Sequence, residues 1–330
     1  MNDEARDAYT LTAEDRQIVA DLERHQRELG LSNGDFCKRY LSYSPTVWSR
    51  CITGEYFQIV KEPEKVLRTL AADLRALEET RLQEARYSTA GFIKHPDAEL
   101  VIRAIKECRG KPISNPDRVI VYVAPTGGGK SALCGHLRSD GARLVEARES
   151  WLRSYFACVR DISKACGVNP DSFYSPDTLE EELLRVLNSR RTTLVIDEGE
   201  FLSARTLNLV KLVVNKSAAV VVICCMPEAY DRWATRNWHE ASQVKRRTHA
   251  MIRCAPCDVR TARMFLHEFT LEEGAAKAAA AFARAFGAFD TLTQIRTELQ
   301  GEKDVDQATM IKAGNRVRAF QGLMPLFSDK

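Results

Sequence analysis

The sequence predicts an α/β fold in which helices cover both faces of a parallel sheet of five strands. From residue 117 onward, short β-branched runs alternate with segments of helical periodicity, a pattern typical of parallel sheets. A glycine-rich loop follows the first run, and two acidic residues follow the third. The predicted strands cover residues 119–123, 144–147, 192–196, 219–225 and 250–254.

Size and composition describe an ordinary folded chain. Its 330 residues suffice for about two domains, and 45% apolar with 28% charged residues is close to the average for globular proteins. The formal net charge of +3 neither requires nor excludes a nucleic-acid partner. The longest apolar run, Ala218–Pro227, is too short to cross a bilayer, and the amino terminus is polar. We therefore expect a cytoplasmic protein with no membrane partner, whose ten cysteines are reduced.

The chain divides into four predicted regions. Residues 1–56 contain three short helices spaced like a helix-turn-helix, and residues 57–90 form a charged helical connector. Residues 91–255 carry the alternating strands and helices, and residues 256–330 contain only helical patterns, which suggests a small lid. Because residues 1–90 hold 13 basic and 16 acidic side chains, contact between the first module and DNA is left open.

The loop after the first predicted strand reads APTGGGKS, the phosphate-binding pattern with Ala in place of the usual first Gly. Its three glycines let backbone N–H groups turn towards phosphates, and the helix that starts at Lys130 adds the positive end of its dipole. Lys130 is predicted to reach the β- and γ-phosphates, and the Ser131 hydroxyl to bind Mg²⁺. The predicted nucleotide contacts of this loop are Ala124, Pro125, Thr126, Gly127, Gly128, Gly129, Lys130, Ser131 and Ala132.

An acidic pair, Asp197 and Glu198, directly follows the third predicted strand. Three apolar residues precede it, so both carboxylates are expected at the carboxyl edge of a buried sheet, where ligands bind in such folds. Asp197 is predicted to hold Mg²⁺ through water, and Glu198 to orient or deprotonate the attacking water. Taken by itself, such a pair also fits a solvated acidic turn. Its position in the sequence, after the phosphate loop, favours a nucleotide site.

These motifs resemble those of AAA+ ATPases, and the order of regions resembles the transposition protein B family of phage Mu, relatives of the transposon target-selection ATPases. The resemblance covers nearly the whole chain. It implies an enzyme that binds ATP and Mg²⁺, assembles as a homo-oligomeric ring or helical filament on double-stranded DNA, and presents that DNA to a transposase. Slow hydrolysis, stimulated by DNA or the transposase, would then release the protein.

Three functional residues of that family have no single clear counterpart in this sequence. An arginine that acts on a neighbouring subunit is expected among Lys245, Arg246 and Arg247, where a solvated basic turn is the alternative; Arg246 and Arg247 are our choice. The fourth strand ends without the polar residue that usually positions water, which favours a slow switch; an alignment that slips by one residue is the alternative. The segment from Gly314 resembles the helix start that carries a second nucleotide-sensing arginine, here Arg316, with Arg318 as the alternative.

The resemblance also suggests which side chains face DNA. Basic residues after the second strand and after the acidic pair line the inner face of such assemblies. The predicted DNA contacts are Arg148, Trp151, Arg153, Arg205 and Lys211. An indole at a helix start also fits the protein core, so both interpretations of Trp151 stay open. Cys254 and Cys257 have no second cysteine pair and are not predicted to bind zinc.

Two other functions share many of these features. A helicase-loader-like ATPase has the same nucleotide motifs but favours single-stranded DNA. A transcription regulator with a helix-turn-helix that senses nucleotide would bind one discrete operator.

Overall fold

The computed structural model describes residues 9–86, 92–173, 175–189, 191–235, 239–285 and 288–328. The chain forms two compact units, residues 1–86 and residues 87–330. None of the helices in these described ranges is long and apolar enough to span a membrane.

The first unit is a bundle of helices around one core. Serine or threonine side chains cap the first three helices by accepting a hydrogen bond from a backbone N–H three residues on. Trp48 and Phe36 lie at the centre of the core and are fully buried. The helices are α1 (Ala13–Glu28), α2 (Asn33–Tyr40), α3 (Pro45–Ile52), α4 (Glu55–Ile59) and α5 (Pro63–Arg86).

Helix α5 belongs to this core, so the prediction of a separate connector is wrong for residues 63–86. Its apolar residues Leu70 and Leu77 are buried against α1, α2 and α4. An apolar stripe on a charged helix indicates that one face is covered, but it does not identify the covering element. Residues 87–90 of the predicted connector lie outside the described residues.

The second unit contains the predicted five-stranded sheet, and all of its strand pairs are parallel. The strand order β2-β3-β4-β1-β5 places β4 between β1 and β3. The strands are β1 (Val119–Val123), β2 (Arg143–Glu146), β3 (Thr193–Asp197), β4 (Val220–Cys225) and β5 (Thr248–Arg253). Every residue of β1, β3 and β4 is buried, as expected of central strands with helices on both faces.

Helices on the two faces of the sheet form two separate cores. Alternate residues of β1 point into opposite cores, with Val121 on one side and Tyr122 on the other. The helices are α6 (Pro96–Gly110), α7 (Lys130–Ser139), α8 (Ser150–Arg153), α9 (Tyr155–Ala165), α10 (Pro176–Ser189), α11 (Ala204–Lys216), α12 (Pro227–Thr235) and α13 (His239–Arg246). The break between α8 and α9 falls at Ser154, whose extended backbone and side-chain cap start a new helix.

A C-terminal helical region, residues 257–327, packs around its own apolar core. Gly314 permits close packing there, because a Cβ at this position would lie 2.2 Å from a ring carbon of Phe282. A parallel pair of two-residue strands, which the sequence pattern did not predict, joins its loops. The elements are α14 (Val259–Phe265), β6 (Thr270–Leu271), α15 (Glu273–Ala285), α16 (Ala288–Glu298), β7 (Asp304–Val305) and α17 (Gln307–Phe320).

Candidate nucleotide site

The glycine-rich loop joins the end of β1 to the start of α7. Gly127 and Gly129 have φ angles of +73° and +77°, a left-handed conformation that side chains with a Cβ rarely adopt. Gly128 is required for a different reason: a Cβ there would lie 2.9 Å from both the Ala124 Cβ and the Pro125 carbonyl oxygen. The three glycines therefore permit a tight loop whose backbone N–H groups can approach a ligand closely.

Lys130 holds its ammonium group at the loop. Its Nζ donates to the carbonyl oxygens of Ala124 and Pro125, both at 3.0 Å, and lies 3.4 Å from the Met226 sulfur. Met226 directly follows β4, the position where the sequence lacks a polar residue. The first turn of α7 has no side-chain cap, so its N–H groups are available to an anion beside the lysine.

Ser131 and Asp197 face each other across the gap between α7 and β3. The Ser131 hydroxyl donates to Asp197 Oδ2 at 3.4 Å, and the backbone N–H of Glu198 donates to Asp197 Oδ1 at 2.9 Å. Asp197 is completely buried. A hydroxyl beside a buried carboxylate is an oxygen donor set of the kind Mg²⁺ prefers, so the residues present fit this ion.

Glu198 has a strained backbone. Within the part of the chain that the structure describes, it is the one non-glycine residue with a positive φ, +53°. Such a conformation costs about 1–3 kcal/mol and persists where the surroundings impose it. The next residue, Gly199, packs closely against β4, because a Cβ there would lie 2.8 Å from Ile223 Cγ2 and 3.0 Å from the Cys224 carbonyl oxygen. Glu198 thus stands between the end of β3 at Asp197 and this close contact.

Glu200 is a site residue that the sequence interpretation did not assign a role. Burial and a hydrogen bond to Glu198 raise its pKa to about 7. Its Oε2 is buried and has no hydrogen-bond partner. At neutral pH a proton is therefore available to be shared between the two carboxyl groups. The third acid of Asp197-Glu198-Gly199-Glu200 was the signal that could have identified it.

A cavity of about 250 Å³ adjoins the phosphate loop and lies against the C-terminal helical region. The rings of Phe265 and Phe289 stack at 4.6 Å, and the ring centroids of Phe289 and His95 are also 4.6 Å apart. The backbone N–H of Phe289 donates to the Gly127 carbonyl oxygen at 3.0 Å, which ties α16 to the loop. Gly129 and Phe92 complete the part of the wall nearest the loop.

His95 lines this cavity together with the polar residues Asp290, Thr293 and Arg296. Only 2% of its surface is exposed, and neither ring nitrogen has a hydrogen-bond partner. Burial lowers the pKa of His95, so its ring is neutral at physiological pH. A neutral imidazole offers one donor and one acceptor to a ligand. The sequence interpretation missed this cavity, because its residues lie far apart along the chain.

Arg246 and Arg247 lie away from this site in the same chain. Arg246 ends α13 and is exposed, and Arg247 donates to Asn215 Oδ1 at 3.0 Å. The Arg247 carbonyl oxygen accepts from the N–H of Val119, the first residue of β1, so the pair lies at the amino edge of the sheet. The phosphate loop follows the opposite, carboxyl edge. Arg316 forms an ion pair with Glu298 at 3.9 Å.

The residues predicted to contact DNA differ in their exposure to solvent. The prediction for Trp151 is wrong, because its side chain is fully buried and its Nε1 donates to Asp161 at 2.8 Å. Arg153 is exposed and pairs with Glu149, and Arg148 lines an open groove of about 600 Å³ together with Arg160 and Lys164. Arg205 is exposed and Lys211 half-buried, both on α11.

Residues 114–233 match the family described as an AAA domain. No curated protein matches the sequence. Among solved structures, the chain is similar to C. elegans PCH-2, with 13% identity and a TM-score of 0.41 over 68% of each chain. It is also similar to the Aeropyrum pernix ORC2 protein, solved as ADPNP and ADP complexes, with 12% identity and a TM-score of 0.45 over 68% of each chain. A third similarity, to domain III of the Thermotoga maritima replication initiation protein DnaA, has 14% identity and a TM-score of 0.41, over 69% of this chain and 95% of the other.

The matched segment contains β1 to β4, the phosphate loop and the acidic pair. This segment is therefore similar to an AAA domain, and the α/β fold with its five-stranded parallel sheet matches a P-loop AAA+ core. AAA domains as a class bind and hydrolyse nucleotides.

Proposed function

We propose that this protein is an ATPase that binds ATP with Mg²⁺, assembles on double-stranded DNA and regulates transposition, with slow hydrolysis as the step that releases it. The observation that carries the ATPase part is the convergence of Lys130, Ser131, Asp197 and Glu198 at one edge of the sheet, beside the aromatic cavity.

The loop and Lys130 bind the phosphates. On nucleotide binding, the Lys130 ammonium exchanges its two carbonyl contacts for the more negative phosphate oxygens, and the N–H groups of the first turn of α7 stabilise the same charge. Ser131 and Asp197 would hold Mg²⁺, which when bound neutralises charge on the phosphates. Glu198, outside the strand, accepts a proton from the attacking water at its carboxylate.

The aromatic cavity binds the base. Phe265 and Phe289 supply apolar ring faces, and the unpartnered nitrogens of buried His95 can exchange hydrogen bonds with the edge of adenine. Because the Phe289 N–H also bonds to the Gly127 carbonyl oxygen, the base wall and the phosphate loop are linked directly. This link supports a nucleoside triphosphate over inorganic phosphate as the ligand.

Hydrolysis requires a second subunit in this proposal. Arg246 and Arg247 lie at the amino edge of the sheet and the phosphate loop at the carboxyl edge, so the arginines can act only on a neighbour's nucleotide. An arginine supplied in this way stabilises the charge of the transition state. At the end of β4, Met226 takes the place of a polar side chain, which supports slow turnover in the absence of a partner.

Exposed basic residues support the DNA part of the proposal. Arg148, Arg153 and Arg205 follow β2 and the acidic pair, the segments that face DNA in the transposition protein B family that the sequence resembles. Contacts between such residues and phosphates are independent of base sequence and weaken steeply with salt. A transposase is the partner that this resemblance implies.

Electron microscopy of the full chain with duplex DNA and a non-hydrolysable ATP analogue tests the proposal, together with footprinting on duplex and single strands. Sequence-tolerant coverage of duplex by a regular oligomer, seen only with nucleotide, is the expected result. A preference for single-stranded DNA would instead indicate a helicase-loader-like ATPase. Protection of one discrete operator would indicate a transcription regulator.

A further inference from the structure

Two thiol groups lie directly behind the carboxylate of Asp197. The sulfur atoms of Cys134 on α7 and Cys224 on β4 are 3.5 Å apart. One carboxylate oxygen of Asp197 and these two sulfurs all lie within 4.8 Å of one another, and all three residues are fully buried. Three separate elements, α7, β3 and β4, thus direct three potential metal ligands to one point.

We propose that Cys134, Asp197 and Cys224 form a binding site for a thiophilic divalent cation of the Zn²⁺ class, and that this cation keeps the ATPase switched off. In tetrahedral zinc sites the Zn–S bond is about 2.3 Å, which places two thiolate sulfurs about 3.8 Å apart. The observed 3.5 Å is within a few tenths of an ångström of that separation. The two sulfurs therefore already lie close to the separation that the cation requires.

The donor set distinguishes this site from the magnesium site beside it. Two sulfurs and one carboxylate favour Zn²⁺ or Cd²⁺, whereas Mg²⁺ requires oxygen ligands. The Ser131 hydroxyl, 3.4 Å from Asp197 Oδ2, or a water molecule can supply the fourth ligand. Binding displaces one proton from each thiol, so one cation enters and two protons leave.

A disulfide is the other chemistry open to two close thiols. Its formation removes two electrons and two protons and so requires an oxidant, whereas binding of a divalent cation requires no change of oxidation state.

The regulatory consequence rests on the proposed function. Asp197 is shared between the two sites, and a thiophilic cation bound to its carboxylate removes it from Mg²⁺. A cell with free Zn²⁺ would then hold the protein unable to cleave ATP, and removal of the cation by a chelator would restore cleavage. This mechanism needs no second ligand pocket, because the two metals compete for one carboxylate.

Titration of the full chain with Cd²⁺, without nucleotide or Mg²⁺, tests the site directly. The Cd²⁺–thiolate absorption band in the ultraviolet should saturate at one equivalent. Loss of a residue that only supports a metal ligand typically weakens metal binding about 10–100-fold. Removing a ligand itself, as in Cys224→Ala or Cys134→Ala, should weaken Cd²⁺ binding by more than that. Cys225→Ala is the matched control, because Cys225 neighbours Cys224 on β4 but points into the opposite core.

Thermal unfolding first establishes that each variant is folded. Equal Cd²⁺ affinity of the Cys224→Ala and Cys225→Ala variants, or no thiolate band from the folded native protein, would overturn the proposal. ATP turnover with and without Zn²⁺ then tests the consequence: the Cys225→Ala variant should be inhibited as the native protein is, and a chelator should reverse it. Cd²⁺ binding through both cysteines in a protein that does not hydrolyse ATP would retain the metal site and refute the proposed function alone.

Discussion

Replacing Phe289 by leucine should separate recognition of the base from recognition of the phosphates. The Phe289 ring is buried, stacks on Phe265 at 4.6 Å and lies 4.6 Å from the His95 ring. Leucine keeps most of the apolar volume, and the backbone N–H that bonds to the Gly127 carbonyl oxygen is unchanged. The substitution therefore removes ring stacking and leaves the phosphate loop in place.

The expected magnitude follows from the lost stacking. An aromatic side chain stacked on a base contributes about 1–3 kcal/mol by substitution experiments. Since about 1.4 kcal/mol corresponds to a tenfold change in affinity, ATP should bind the Phe289→Leu protein roughly 5–150-fold more weakly. The two protein ring pairs that Phe289 forms are worth about 0.5–1.5 kcal/mol each, so stability should fall by about 1–3 kcal/mol as well.

Isothermal titration with ATP and with inorganic triphosphate, each with Mg²⁺, measures the effect. The ratio of the two dissociation constants should change in the variant, because only ATP carries a base. Phe320→Leu is the matched control, since Phe320 lies in the same C-terminal region but is 83% exposed. An equal loss of affinity for ATP and for inorganic triphosphate, or no loss for either, would refute the assignment of the cavity to the base.

Three further predictions concern catalysis, proton binding and the first unit. Glu198→Gln should still bind ATP but nearly stop turnover. Mixing it with an Arg246→Ala/Arg247→Ala double variant should restore part of the turnover, because mixed interfaces in one of their two orders combine an intact acid with an intact arginine pair. Turnover in the mixture no higher than in either variant alone would exclude the arginines from this role. The pKa of Glu200 is raised from 4.5 to about 7 in the folded protein, so the folded state binds the Glu200 proton more tightly than the unfolded state does. The stabilisation that this proton gives to the folded state is complete below pH 4.5 and is lost as the pH rises through about 7. The unfolding free energy of the native protein in urea should therefore fall relative to Glu200→Gln across that interval, by at most about 1.4 kcal/mol per pH unit, and parallel pH profiles would show that Glu200 carries no raised pKa. Deleting residues 1–86 should give a folded protein that still coats DNA with ATP in a filter-binding assay, whereas deleting only 1–56 should cause aggregation by exposing the apolar face of α5; loss of DNA binding by the folded 87–330 protein would place the DNA contacts in the first unit.

Local patterns in the sequence were sufficient to predict the parallel sheet and the residues of the phosphate loop. Five short apolar runs predicted five strands, and the bounds of the runs agree with the structure to within two residues. The positions of Lys130, Ser131 and Asp197 at the phosphate loop and the end of β3 also followed from the sequence, whereas their roles towards a nucleotide stay predictions. These features depend on neighbours within about ten positions in the chain, so tertiary packing hardly changes them.

Contacts between residues that are far apart in the sequence could not be predicted in this way. Whether Trp151 faces solvent or Asp161 depends on how α8 packs against α9, and the same helix pattern permits both. The apolar stripe of α5 predicted burial without identifying the rest of the first unit as its partner.

By itself, the sequence determined the α/β class, the order of strands and helices along the chain, and the phosphate loop with its acidic pair. The tertiary structure alone decided which of these features meet. The strand order puts β4 between β1 and β3, so that Cys224 lies behind Asp197 and beside Cys134, and it brings His95 against Phe289 from almost 200 positions away. The physical reason is that periodicity reports only that a face is buried, whereas the partners of that face follow from the three-dimensional path of the whole chain.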